Sequence, residues 1–126
     1  FQPVGGGQRL VLLRLKEGPL YFASFAQEML ITDASRTERP VSGLFGAVSY
    51  DEGETWPAIR LITDDGEPRQ LPAMDGNPFT MSQSSAEPRG YMATCQAQDG
   101  VIHLISSQQH YSFNLKWLET PAPALF

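Results

Sequence analysis

Between Ala97 and Val101 the chain turns at Gln98-Asp99-Gly100, flanked by YMATCQA and VIHLISS, runs in which apolar residues alternate with others. Asp-Gly between two such runs is the strongest hairpin signal in the sequence. A repeat of two commits a segment to strand, since a helical face repeats at 3.6. The same reading predicts strands over Arg9–Leu15, Leu20–Phe25, Leu44–Tyr50 and Ile59–Thr63. The first two are joined by Lys16-Glu17-Gly18-Pro19, a second hairpin signal. A last strand, YSFNLKWL, starts at Tyr111 after the polar break Gln108-Gln109-His110 and ends in Trp117-Leu118. No long stretch carries a helical repeat. The expectation is an all-β meander of about seven strands, grouped as four and then three.

Two segments lack either period. Ala26–Gly43 is polar and mixed and reads as a long loop or insertion. After Asp64-Asp65-Gly66-Glu67-Pro68 the chain is rich in Pro, Ser, Gly and Asn as far as Gly90 and reads as a long connection, the kind that carries function in compact domains. Asp64-Asp65 before Gly66 is turn chemistry. Glu119–Phe126, with Pro121 and Pro123, reads as an extended or frayed tail. Gly5-Gly6-Gly7 reads as a flexible lead-in, since no helix and Lys-Ser follow it as in a phosphate cradle.

With 126 residues, 41% of them hydrophobic, the chain suffices for one modest domain. Nine basic against fourteen acidic residues give a formal charge of −5, and no basic run tracks a phosphate backbone. Nucleic acid is therefore not an expected partner. No stretch approaches the roughly 20 apolar residues of a membrane-spanning helix, and no signal pattern opens the chain, so no membrane association is expected. Phe1 stands where an initiator Met would, which suggests a beginning inside a larger parent. One cysteine, Cys95, excludes an internal disulfide, leaves the compartment open, and reads as a small buried hydrophobe.

SYDEGETWP, Ser49–Pro57, joins the third and fourth predicted strands. Asp51 can accept hydrogen bonds from backbone N–H groups of its own turn, Gly53 can take positive φ, Thr55 offers a hydroxyl, and Trp56 covers the hairpin. An EF-hand reading of Asp51, Glu52 and Glu54 fails on spacing. No His/Cys cluster has metal spacing, so neither metal nor cofactor is expected. The pattern Ser-x-Asp-x-Gly-x-Thr-Trp, at Ser49, Asp51, Gly53, Thr55 and Trp56, resembles the Asp-box, or bacterial neuraminidase repeat, of sialidase-like β-propellers. Gly90–Leu118 resembles a blade of the same family.

The resemblance implies antiparallel four-stranded blades: one over about 9–64, a connection over 65–90, a partial blade over 91–118 and a tail over 119–126. It implies that the box is peripheral architecture remote from the substrate pocket. Propellers close with typically 4 to 8 blades of four strands, so fewer than two blades need completion. The missing ones would come from a longer polypeptide or from copies of this chain, three copies supplying about six blades; a small sandwich of the two sheets is the other way to cover them. The family implies a secreted or periplasmic setting and a glycan ligand.

The implied pocket lies where inner strands begin and second-to-third strand loops emerge, which selects Ser84–Gly90 and Ser107–Tyr111. Sialidase-type chemistry uses arginines for a carboxylate and a tyrosine made nucleophilic by a glutamate. The resemblance thus selects Glu87, Tyr111 and His110 as catalytic candidates, with Arg89 and Gln108 for substrate binding. Glu87 and Arg89 read equally as a solvated or paired loop, and His110 as an ordinary loop residue. His103, within VIHLIS, reads as a half-buried strand residue with a satisfied ring, and Trp117 as core. Two functions are compatible with this pattern: a sialidase-like exo-glycosidase or part of one, and a non-catalytic propeller module that binds carbohydrate or protein.

Overall fold

The computed structural model describes residues 9–125; the Gly5-Gly6-Gly7 lead-in lies outside the described residues. Strands β1 (Leu10–Arg14), β2 (Leu20–Thr32), β3 (Glu38–Ser49) and β4 (Ala58–Leu61) form one antiparallel sheet in sequence order. A two-stranded hairpin follows, β5 (Arg69–Pro72) and β6 (Pro78–Met81), then a three-stranded antiparallel meander of β7 (Ala93–Gln96), β8 (Ile102–Ile105) and β9 (His110–Phe113). A short helix, α1 (Leu115–Glu119), ends the regular structure. The chain is mostly antiparallel sheet, as the spacing of two requires.

Both faces of the four-stranded sheet are buried near its centre. Register and alternation place Val11, Leu13, Tyr21, Ala23 and Val48 on one face, and Phe22, Ser24, Phe45, Ala47 and Leu61 on the other. The first face packs on the C-terminal sheet, where the Tyr21 and Phe113 rings meet edge to face at 6.0 Å. On the second face Trp56 lies 5.7 Å from the Phe22 ring and covers the hairpin end, as its place in the turn predicts.

Four expectations from sequence are corrected. Ala26–Gly43 is not a loop, because β2 and β3 run through it around a bulge between Ala26 and Met29. Beyond the bulge Met29, Ile31, Arg39 and Val41 are buried; Arg39 interrupts the apolar pattern but is neutralised by Asp33, Nη1 to Oδ2 2.7 Å. The 65–90 connection contains the β5–β6 hairpin, which Pro72 and Pro78 obscure by sitting at its turn end. The last strand stops at Phe113, so Trp117 and Leu118 are helical: Asn114 caps α1 by accepting from the Trp117 N–H at 2.9 Å. Cys95 is exposed, because Thr94 and Gln96 take the inward positions of β7.

The tail is extended, and it is pinned rather than frayed. Carbonyls of Thr120, Ala122, Pro123 and Ala124 accept from Arg60, the Ala34 N–H, Arg39 and Gln83, respectively, at 2.7–3.0 Å. No helix among the described residues is long and apolar enough to cross a membrane.

The Ser49–Trp56 turn satisfies itself. Asp51 Oδ1 accepts from the Thr55 N–H at 2.8 Å and Oδ2 from the Thr55 hydroxyl at 2.6 Å, while Ser49 Oγ donates to Asp51 and accepts from the Gly53 N–H. Glu52 and Gly53 both have positive φ, 61° and 90°. These donors hold the Asp51 carboxyl down to about 2, the Thr55 hydroxyl contributing most.

Candidate active site

Segment 84–87 is laid along β3 as an added strand. The Ser42 N–H donates to the Ser84 carbonyl, Ala86 N–H to Ser42, and Leu44 N–H to Glu87, at 2.8–3.1 Å. This approach needs a glycine at 43: a Cβ there would stand 2.4 Å from the Ala86 carbonyl oxygen, and φ is +109°. The docking buries Glu87 completely and fixes its backbone. Its carboxylate meets the half-buried Tyr111 of β9, whose hydroxyl donates to Glu87 Oε1 at 2.7 Å. Burial, then the hydrogen bond to and charge of Glu87, push the Tyr111 hydroxyl well above the usual phenol range.

Tyr111 also lines a cleft of about 650 Å³ between the β5–β6 hairpin, β9 and α1. Asp64, Arg69, Asn114 and Trp117 share its walls. Arg69 grips Asp64 with both terminal nitrogens, at 3.0 and 2.5 Å, which raises the guanidinium and lowers the carboxyl. Both side chains remain about half exposed, 42% and 54%, so a ligand can compete for the guanidinium. Behind the cleft, the Arg60 guanidinium stacks 4.0 Å over the Trp117 ring and donates to Asp65 at 2.7 Å. Burial dominates both of these partners, raising Asp65 and lowering Arg60, so the pair serves position more than stability.

Of the residues selected from sequence, Glu87 and Tyr111 come together. Alternation along β9 sends His110 to the other face of the sheet from Tyr111, and its ring pairs with His103. His103 is half-buried with that partner. Gln108 is exposed in the β8–β9 turn, where its N–H donates to Ser106 Oγ; it is the neighbouring Gln109 that reaches the Pro72 carbonyl at 2.8 Å and ties this turn to the β5–β6 hairpin. Arg89 is exposed two residues past Glu87; His110 borders the cleft together with Tyr111, whereas Glu87, Arg89 and Gln108 do not line it. Arg69, Asp64 and Trp117 went unselected because they read as loop, turn and core. Among the described residues no group of three His, Cys, Asp or Glu side chains is assembled to hold a metal. No protein-family model matches the chain, and neither a curated protein nor a solved structure is significantly similar to it.

Proposed function

We propose that this chain is part of a sialidase-like β-propeller glycoside hydrolase, with Tyr111 as nucleophile and Glu87 as its base. The observation that carries the reading is the 2.7 Å hydrogen bond from the Tyr111 hydroxyl to a buried glutamate beside an open cleft. The four-stranded meander with two buried faces and the self-satisfied Ser49–Trp56 turn fit a blade, other blades being supplied by a longer polypeptide or by copies of this chain.

Because the phenol is held well above its usual range, free tyrosinate does not accumulate. In this reading attack is coupled to transfer of the phenol proton to Glu87. Tyr111 Oη bonds to the anomeric carbon as its proton passes to Glu87 Oε1, and the bond to the departing glycosidic oxygen breaks. That oxygen takes a proton from an acid contributed by the rest of the ring. Water then attacks the same carbon and gives its proton to the conjugate base of that acid, the bond to Tyr111 breaks, and Glu87 returns the first proton to the phenolate. Arg69, facing the cleft, is the cation available to an anionic sugar.

The aromatic wall and the internally paired Asp64–Arg69 favour a second reading, a non-catalytic glycan-binding module. A panel of fluorogenic glycosides that includes sialosides separates them. Hydrolysis is expected, falling by about 10²–10⁴-fold in Glu87→Gln and at least as far in Tyr111→Phe, with glycan binding retained in both. Binding without turnover in the complete ring leaves the module; turnover unchanged in Tyr111→Phe removes the proposed nucleophile.

A further inference from the structure

His103 on β8 and His110 on β9 bring Nδ1 and Nε2 to 3.0 Å across the exposed face of the C-terminal sheet, with ring centroids 5.3 Å apart and planes 22° from parallel. The contact is diagonal, since the register partners of His103 are Cys95 and Ser112. Only one proton can lie between the two nitrogens, so one ring donates and the other accepts. Two imidazole nitrogens bound tetrahedrally at 2.0–2.1 Å from one ion stand about 3.3 Å apart. The N–N distance is thus within a few tenths of an ångström of a chelating bite, and ligation requires the shared proton to move to the far nitrogen of its own ring and both rings to turn so that their lone pairs converge on the ion.

We propose that His103 and His110 form a two-point site for a divalent transition ion, zinc or nickel, with solvent completing its coordination. Imidazole donors select these ions over magnesium and calcium, which prefer oxygen. The two histidine rings turn to the face opposite the Tyr111 ring, although His110 also borders the cleft, and the site does not rest on the glycosidase reading. Cys95, the register partner of His103, is the one other soft donor aligned on this face, so its contribution has to be separated.

The test is calorimetric titration of zinc and of nickel, with magnesium as control, into the wild-type chain and the variants Cys95→Ser, His103→Asn and His110→Gln. His110 is exposed, so its replacement leaves the core intact even if His103→Asn unfolds. One ion per chain is expected, bound alike by wild type and Cys95→Ser. His110→Gln should weaken it by at least ~10-fold, the scale on which even outer-shell partners matter to metal sites. No zinc or nickel binding, binding unchanged in His110→Gln, or binding that disappears in Cys95→Ser would overturn the site.

Discussion

Asp51 is exposed, yet its carboxylate organises a whole turn through the Ser49, Gly53 and Thr55 contacts. Its folded pKa, about 2, lies below the ordinary 3.8, so its contribution is present above pH ~3.8 and lost as pH falls through about 2. Asp51→Ala should lower the melting temperature by a few degrees at neutral pH and by much less near pH 2, with no specific effect on activity; an equal loss at both would contradict the linkage. At Tyr111 the hydroxyl bonds the fully buried Glu87, and Tyr111→Phe removes that donor from the carboxylate. A cost of about 1–3 kcal/mol is expected in denaturant unfolding. Glu87→Gln, which keeps an acceptor for the phenol, should cost less.

At the scale of elements, Gly43 decides whether segment 84–87 docks on β3. Gly43→Ala meets a backbone carbonyl and a strained φ together, so a loss of more than about 2 kcal/mol is expected, with faster amide exchange at Leu44, whose partner is Glu87. Arg39 acts likewise on the tail, bonding Asp33, Pro123 and Gln83. Arg39→Ala should release residues 120–124, seen as loss of exchange protection at Ala34; retained protection would refute the clamp. These two positions show what was legible in the sequence. The alternating runs, the Asp99-Gly100 hairpin and the Ser49–Trp56 turn are local patterns and can be read directly. The far halves of β2 and β3 were hidden because a buried Arg39 looks polar until its partner Asp33 is known. The cleft was hidden because Arg69, Asp64, Tyr111 and Trp117 meet only through tertiary packing of short elements. Glu87 and Tyr111 meet where the resemblance pairs a tyrosine with a glutamate, while His110, which borders the same cleft, turns its ring to His103 because adjacent strand residues face opposite sides.

For the whole molecule, the four-stranded sheet ends in outer strands β1 and β4, and Leu10 and Leu12 on β1 are 54% and 57% exposed. Such edges and faces are ordinarily covered by neighbouring sheet. Light scattering on the isolated chain is therefore expected to give a mass above one copy that rises with concentration; a monomer at every concentration would mean that the cover comes from another polypeptide or that the two sheets packed on each other form a compact module. The decisive measurement is peptide mapping by mass spectrometry of the complete protein after reaction with fluorinated glycosyl donors, which form a glycosyl-enzyme faster than it hydrolyses. A glycosyl adduct on Tyr111 that forms far more slowly in Glu87→Gln is the expected result, and an adduct on any other residue would contradict the assignment of Tyr111 and Glu87 as the reacting pair.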